Sequence, residues 1–135
     1  MTYLLDTNVC IAYLNGRSSN VVQRLGIVSP SVIAVCSVVK AELFFGAMRS
    51  RNAAETLARQ RAFLDQFISL PFDDRSAEFY ASMRATLATR GTPIGPNDLL
   101  IAAITRAHNL TLVTANVREF GRIEGLQIEN WEDDQ

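Results

Sequence analysis

The sequence predicts a single α/β domain, spanning residues 1–135, in which a central parallel sheet of about five strands carries helices on both faces. Short apolar runs alternate with longer segments of helical periodicity, which is typical of β–α–β units. The run Val32–Cys36 is apolar and mostly β-branched, as expected of a strand buried on both sides. A chain of 135 residues is long enough to bury one core.

In the first third of the chain, polar residues and glycines mark the ends of the elements. Asp6 ends the first apolar run, Asn15-Gly16 stops the helix after it, and Gly26 stops a second short helix. Pro30 separates that helix from the buried strand. The predicted elements are a strand at 3–5, helices at 9–14 and 18–26, and a strand at 32–36.

Two amphipathic helices and an edge strand follow. Ser37 is predicted to cap a helix, because apolar residues then recur at helical spacing. The turn Arg49–Asn52 leads into a longer amphipathic helix that runs through Phe67. Pro71 cannot donate a ladder hydrogen bond, so a weak strand at 70–72 is confined to the edge of the sheet.

The last third alternates helices with two strands. Gly91 is predicted to supply a left-handed cap for a helix at 76–90. The loop Ile94–Pro96 leads into a helix from Asp98 to His108, which is apolar almost all round and therefore predicted to be internal. The remaining elements are a strand at 110–114, a short segment ending at Phe120-Gly121 and a strand at 126–129.

Composition excludes several functional classes. Cys10 and Cys36 match neither a CxxC pair nor a disulfide framework, so we expect a reducing cytoplasm. The single histidine, His108, excludes two-histidine ribonuclease chemistry and HExxH zinc sites. It is predicted to cap a helix C-terminus, although a Ser-His-Asp triad stays open. The sequence predicts neither a secretory signal nor a run of the ~18 apolar residues that span a membrane.

Basic residues are concentrated in the first half of the chain. Residues 17–61 contain seven basic and two acidic residues, a net charge of +5, and all but one of the 13 basic residues of the chain are arginine. Arginine binds phosphate and carboxylate oxygens with two parallel hydrogen bonds, which fits an anionic partner. The same residues fit the solvated face of an amphipathic helix equally well.

Two aspartates lie at the ends of predicted elements that are expected to come together at one edge of the sheet. Ligand sites in parallel sheets form beyond the carboxyl ends of the strands. Asp6, Thr7 and Asn8 follow the first strand directly, and Asp98 opens the internal helix. Both aspartates are also suitable helix caps, so a purely structural role stays open for each.

A metal site is the interpretation that also accounts for Glu42 and Glu119. Glu42 lies among apolar residues, where an unpaired charge is costly, and Lys40 cannot face it on a helix. Thr114, Asn116 and Glu119 follow the fourth strand. Carboxylates that share a pocket cannot all stay ionised without a cation, and oxygen ligands without histidine favour Mg²⁺ or Mn²⁺ over zinc.

Other carboxylate chemistries on similar sheets fit less well. An aspartyl-phosphate phosphatase requires a second aspartate two positions after the first, where this chain has Asn8. A receiver domain requires a lysine after its fifth strand, whereas the one lysine here is Lys40. Neither GxxxxGK[ST] nor GxGxxG occurs, so a glycine-rich phosphate loop has no support.

Four blocks of sequence occur in a characteristic order between residues 4 and 131. They are Leu4–Asn8, Ser37–Leu43 with Gly46-Ala47, Gly91–Asp98, and Thr114–Phe120 followed by Gly125-Leu126 and Glu129–Trp131. Their combination resembles PIN domains, specifically the VapC toxins of bacterial type II toxin–antitoxin pairs. The resemblance implies a Mg²⁺-dependent endoribonuclease, with Mn²⁺ as a substitute metal, whose first three acids correspond to Asp6, Glu42 and Asp98.

The chain departs from the PIN pattern at one position. Many PIN domains carry a fourth acid two residues after the threonine that ends the fourth strand, where this chain has Asn116. Either Asn116 ligates through its carbonyl oxygen or Glu119 supplies the carboxylate, so the number of metals stays open. We expect Asp6 and Asp98 to be the principal ligands and Glu42 to bind the metal or orient a water. The donors expected to fix these carboxylates are Thr7, Asn8, Ser37, Thr114 and Asn116.

The resemblance also implies partners. RNA is the expected substrate, and Gly91–Asp98 with Arg118–Phe120 is most similar to the subgroup whose reported target is initiator tRNA. A VapB-type antitoxin, a homodimer and a toxin–antitoxin hetero-oligomer are implied, without a membrane. The alternative function is a noncatalytic nucleic-acid or protein binding module, in which the acids cap helices and Arg49–Arg61 binds phosphate or an acidic partner.

Overall fold

A parallel sheet of five short strands forms the centre of the protein. The computed structural model describes residues 1–133, so residues 134–135 of the predicted domain lie outside the described residues. The strands are β1 (Tyr3–Leu5), β2 (Ile33–Cys36), β3 (Ile68–Leu70), β4 (Thr111–Val113) and β5 (Gln127–Glu129). The helices are α1 (Thr7–Leu14), α2 (Ser19–Ile27), α3 (Ser37–Met48), α4 (Ala53–Leu64), α5 (Asp74–Arg90), α6 (Pro96–Ala107) and α7 (Val117–Phe120), and a short 3-10 turn (Pro30–Val32) precedes β2.

The strand order β3-β2-β1-β4-β5 places β1 at the centre of the sheet. The chain moves from β1 to β3 on one side and then crosses to β4 and β5 on the other. Crossovers between parallel strands are right-handed, so the two directions of travel place α1–α4 and α5–α7 on opposite faces. The strand order reverses between β1 and β4, and a ligand site is expected beyond the carboxyl ends of these two strands.

The core lies on both faces of the three inner strands. Leu4, Leu5 and Val35 are fully buried, as are Leu112 and Val113 of β4. Helix α6 is also internal, since most of its residues after the first turn are buried. This agrees with the apolar character of its sequence. The predicted fold class, a parallel α/β sheet with helices on both faces, is therefore confirmed.

Four helices begin one or two residues earlier than predicted. Helix α1 begins at Thr7 rather than at residue 9, and α5 begins at Asp74 rather than at residue 76. The other two are α3 and α6. Cys36 occupies the cap position of α3 without a side-chain hydrogen bond, and Ser37 is the first residue of the helix rather than its cap. Helix α6 begins at Pro96, two residues before the predicted start at Asp98. A proline is well suited to a first helical position, where its missing N–H would have no helical partner. Asp98 therefore lies inside the first turn and does not cap the helix.

Two boundaries in the middle of the chain also differ from the prediction. Helix α4 ends at Leu64 and not at Phe67, because the chain turns there to enter β3. Strand β3 covers 68–70 and not 70–72, since Pro71 lacks the N–H needed to extend the ladder. The predicted position of this strand at the sheet edge is confirmed.

The two cysteines lie in the core and are not paired with each other. Cys10 and Cys36 are buried and free, and burial raises the pKa of the Cys36 thiol to about 11. Burial also raises the pKa of the Cys10 thiol, so both cysteines are packing residues in their protonated form.

Among residues 1–133, no helix combines the length and the apolar character needed to cross a membrane.

Candidate active site

Four acidic side chains and three helix N-termini meet at the carboxyl edge of the sheet. Asp6 lies between β1 and α1, and Asp98 lies in the first turn of α6. Glu42 is on α3, which begins directly after β2, and Glu119 is on α7, which follows β4. The backbone N–H groups and the positive dipole ends of α1, α3 and α6 favour negative charge in this region.

Asp6 is held by hydrogen bonds at both carboxylate oxygens. Its Oδ1 accepts from the backbone N–H of Thr7 at 2.9 Å, and its Oδ2 accepts from the hydroxyl of Thr114 at 2.8 Å. Only 3% of Asp6 is exposed. Burial raises the pKa of Asp6, the two hydrogen bonds oppose that rise, and Glu42 adds to it. Asp6 is thus both a cap of α1 and a buried carboxyl group in the acidic cluster.

Glu42 has two polar partners from other elements. The hydroxyl of Thr7 donates to its Oε1 at 2.5 Å, and Nδ2 of Asn97 donates to its Oε2 at 3.4 Å. These bonds orient the carboxylate without neutralising it. Asn97 was missed as a candidate by sequence reasoning, and its only signal was its place directly before Asp98.

Asp98 has the most strongly perturbed carboxyl group of the site. Partial burial, together with the charges of Asp6, Glu119 and Glu42 and a hydrogen bond with Glu119, raises its pKa to about 6. Every electrostatic contribution comes from another acid. The four acidic side chains therefore lie close enough to repel one another, as the sequence predicted for carboxylates that share a pocket.

The side chains of Asn116 and Glu119 are hydrogen-bonded to each other. Nδ2 of Asn116 donates to Oε2 of Glu119 at 2.8 Å, and its backbone N–H donates to the hydroxyl oxygen of Thr114 at 3.0 Å. Glu119 does not pair with Arg122, because the Arg122 guanidinium donates to the carbonyl oxygen of Pro93 at 3.1 Å. The carboxylate of Glu119 is thus directed at Asp98 and Asn116.

Asn8 and Ser37 lie at this edge, but both side chains are exposed. Within the part of the chain that the structure describes, no hydrogen bond joins either side chain to one of the four acids. Their expected role as donors therefore stays a prediction. Thr7, Thr114 and Asn116, the other three expected donors, do contact acids of the cluster.

His108 lies away from the acidic cluster. It occupies the C-terminal cap position of α6, so about 15 Å of helix separates it from Asp98. The carboxylate of the nearby Asp73 accepts both the backbone N–H and the hydroxyl of buried Ser76, and these two hydrogen bonds are the main reason that the pKa of Asp73 is lowered. Asp73 is the N-terminal cap of α5, and Ser76 in the first turn of that helix donates to it, so this group is a helix cap and not a nucleophilic triad.

The arginines of residues 17–61 divide between structural and solvent-facing positions. Arg17 forms an ion pair with Glu132, and the guanidinium of Arg24 lies over the ring of Trp131. Arg61 lies over the ring of Phe44. Cation–π contacts of this kind stabilise the fold and leave an edge of the guanidinium free. The arginines of residues 17–61 therefore remain compatible with both interpretations, an anionic partner and the solvated face of a helix.

The donor set fits a hard divalent cation in its chemistry. Four carboxylates, two threonine hydroxyls and two amide side chains supply only oxygen ligands and hydrogen-bond donors, which suits Mg²⁺ or Mn²⁺. Across residues 1–133, no group of three or more histidine, cysteine or acidic side chains already stands in the arrangement that would hold an ion. Binding would therefore require the carboxylates to turn toward a common point, where the positive charge of the ion would offset their repulsion.

Comparison with known proteins assigns the family. Residues 3–126 match the PIN domain family. Ribonuclease VapC2 of Rickettsia felis is 36% identical over 133 residues, covering 98% of this chain and 99% of that protein. The tRNA(fMet)-specific endonuclease VapC of Salmonella typhimurium is 34% identical over 131 residues, covering 97% and 98%.

Solved structures agree with this assignment. A chain of the DNA-bound VapBC structure from Salmonella typhimurium superposes with a TM-score of 0.91 at 34% identity, over 97% of this chain and 98% of that one. A chain of VapBC-1 from nontypeable Haemophilus influenzae gives a TM-score of 0.88 at 31% identity, over 98% and 100%. The chain belongs to the PIN domain family and, within it, to the VapC ribonucleases.

Proposed function

We propose that this protein is a metal-dependent endoribonuclease that acts as the toxin of a VapBC-type toxin–antitoxin pair. The observation that carries the proposal is the cluster of Asp6, Glu42, Asp98 and Glu119. Three of these carboxyl groups accept hydrogen bonds from threonine or asparagine side chains, and the other three acids raise the pKa of the fourth, Asp98. A structural role would not require four acids to repel one another at a single sheet edge.

Asp6 and Asp98 are assigned as the principal ligands of Mg²⁺, with Mn²⁺ as a substitute, and Glu42 as a third ligand or as the group that orients a water. When bound, the metal supplies charge neutralisation at the phosphodiester and lowers the pKa of the attacking water. Thr114 and the N–H of Thr7 fix the orientation of Asp6. Attack by water would leave a 5′-phosphate and a 3′-hydroxyl.

Glu119 is assigned as the fourth acid, in place of the aspartate that many PIN domains carry at the position of Asn116. Its contact with Asp98 and its hydrogen bond from Asn116 support this role. Asn116 then orients Glu119, and Thr7 with Asn97 orients Glu42. Asn8 and Ser37 are proposed as donors that engage the carboxylates when they turn toward the metal.

RNA is the proposed substrate, and initiator tRNA the proposed target, because one similar protein is a tRNA(fMet)-specific endonuclease. The proposed partners are a VapB-type antitoxin and a second copy of this chain, in the cytoplasm. The antitoxin is expected to place an arginine or an apolar helix in the groove beside Glu42 and Asp98, since an acidic pocket attracts a guanidinium.

The decisive experiment is to sequence the ends of RNAs cut by the purified protein, with Asp98→Asn as the control. Cleavage within initiator tRNA that leaves 5′-phosphate ends and disappears in the variant is the expected result. Expression of the free toxin should also arrest bacterial growth, and its antitoxin should restore it. A strain with intact initiator tRNA that grows normally would contradict the toxin assignment.

The alternative, a noncatalytic binding module, is distinguished by metal titration. An enzyme of the proposed kind gains thermal stability with millimolar Mg²⁺ or Mn²⁺, because the ion binds the folded state. Asp98→Ala should abolish that gain. A wild-type protein whose melting temperature ignores both metals, and which retains RNA without cutting it, would favour the binding module.

A further inference from the structure

The segment that carries Glu119 is tied to both ends of α6 by arginine side chains. Nη1 of Arg122 donates to the carbonyl oxygen of Pro93 at 3.1 Å, three residues before α6 begins. Arg106, in the last turn of α6, donates through Nη1 to the carbonyl oxygen of Gly125 at 2.9 Å. The two bonds have the same chemistry, but only the first is close to Asp98.

The second tie shows how closely the segment is fitted to α6. Gly125 has a φ of +79°, and a Cβ at this position would lie 3.0 Å from the guanidinium of Arg106. Glycine is therefore required here both by the backbone conformation and by the approach of the arginine. The chain after α7 thus packs directly against α6.

The hydrogen bond from Arg122 to Pro93 holds the loop between α5 and α6, which has few hydrogen-bond donors of its own. Gly91 ends α5 with a φ of +69°, and both Pro93 and Pro96 lack an N–H. The carbonyl of Pro93, in the middle of this loop, accepts from Arg122. Because Asp98 follows Pro93 by only five residues, a displacement of the loop would be transmitted to the first turn of α6.

A single turn, residues 119–122, contacts the start of α6 twice. The backbone N–H of Arg122 donates to the carbonyl of Glu119 at 3.1 Å, which closes the turn. From this turn Arg122 donates to the carbonyl oxygen of Pro93, and the carboxyl group of Glu119 lies near enough to Asp98 to raise its pKa. Arg122 thus joins the turn that carries Glu119 to the loop that precedes Asp98, without touching either carboxylate.

We propose that Arg122 is a positioning residue for the acidic cluster: by holding Pro93, it fixes the start of α6 so that Asp98 lies within reach of Asp6 and Glu119. This inference rests on the proposed function, which makes Asp98 a metal ligand. Loss of contacts that orient metal ligands typically lowers metal affinity by about 10- to 100-fold. We therefore expect Arg122→Met to weaken Mn²⁺ binding roughly tenfold although no ligand is removed.

The test measures Mn²⁺ binding by titration calorimetry and the hydrogen–deuterium exchange of residues 91–99 in the metal-free protein. Arg106→Met is the matched control, because it removes the same kind of bond about 12 Å further along the helix axis from Asp98. Arg122→Met is expected to weaken Mn²⁺ binding and to accelerate exchange of the loop. Arg122→Lys should recover part of both, since its ammonium can still donate to Pro93. Arg106→Met should keep wild-type Mn²⁺ affinity even where it lowers the melting temperature.

Equal Mn²⁺ affinity in Arg122→Met and wild type would overturn the inference. So would an equal loss in Arg122→Met and Arg106→Met, since both residues would then act through general stability. If wild type binds no Mn²⁺ and cuts no RNA, the proposed function fails and this inference fails with it. If wild type does both and Arg122→Met is unaffected, only the positioning role is overturned. Should Arg122→Met not fold, Arg122→Gln makes the same comparison.

Discussion

Thr114 donates its hydroxyl hydrogen bond to Oδ2 of Asp6 over 2.8 Å, between the carboxyl ends of β4 and β1. Both side chains are almost fully buried. The same hydroxyl oxygen accepts from the backbone N–H of Asn116, so the donor and acceptor sides of Thr114 are both committed. This contact joins residues 108 positions apart at the point where the strand order reverses. It fixes one oxygen of the most buried acid in the cluster.

Thr114→Val is predicted to impair the site while preserving the fold. Valine has nearly the same shape but cannot donate to Asp6, and an unsatisfied buried acceptor costs about 1–3 kcal/mol. We expect lower thermal stability, weaker Mn²⁺ binding and slower RNA cleavage. Thr114→Ser keeps the hydroxyl and should retain cleavage even if the lost methyl group reduces stability. If Thr114→Val cleaves RNA as fast as Thr114→Ser, the hydrogen bond has no catalytic importance.

Asp6→Asn and Asp98→Asn are each predicted to abolish RNA cleavage in a folded protein. Each change removes a charged oxygen but little volume, so packing is preserved. Asp98→Asn also removes a charge that three other acids repel, and the metal-free variant should melt at a higher temperature than wild type. Circular dichroism reports folding, and a labelled RNA reports cleavage. Near-normal cleavage by either folded variant would contradict the assignment of its aspartate.

The stability of the metal-free protein is predicted to fall as the pH rises toward 6. The pKa of Asp98 is about 6 in the folded protein, against an ordinary value of 3.8 expected in the unfolded chain. Between pH 3.8 and about 6, Asp98 is protonated in the folded state but ionised in the unfolded chain. The free energy of unfolding therefore decreases progressively up to about pH 6, and the full destabilisation by the ionised carboxylate is present above that pH. The melting temperature of wild type, relative to Asp98→Asn, should decrease from about pH 4 to about pH 7. A constant difference across this range would show that Asp98 titrates normally.

The sequence predicted the parts of the site that depend on local structure. Asp6 follows a strand that is recognisable from three apolar residues, and Thr114 follows another. The parallel order of the strands then brings their carboxyl ends together, whatever the details of packing. Glu42 was singled out because an acid among apolar residues needs a partner. Thr7, which was already an expected donor, is one of its two partners.

The contacts between distant helices could not be predicted in the same way. Asn97 contacts Glu42 because α6 packs beside α3, and nothing within either helix indicates that approach. The partner of Arg122 is a backbone carbonyl, which has no sequence signature. The helix start at Pro96 was missed because Gly95 caps α6 without a side chain.

Glu119 and Asn116 provide the last prediction, because they offer different chemistry at the same corner of the site. The Asn116 amide donates to Glu119, and Glu119 is among the groups that raise the pKa of Asp98 whereas Asn116 is not. Glu119→Gln is predicted to reduce cleavage strongly and to weaken Mn²⁺ binding, whereas Asn116→Ala should do less, since it only loosens the carboxylate. Asn116→Asp replaces the donor with a like charge and should lower activity through repulsion. The opposite order, with Asn116→Ala the more damaging change and Asn116→Asp binding metal more tightly, would make Asn116 the ligand. Cleavage rates of the three variants across a Mn²⁺ titration separate these outcomes, and unchanged rates in all of them would mean that Asp6, Glu42 and Asp98 suffice.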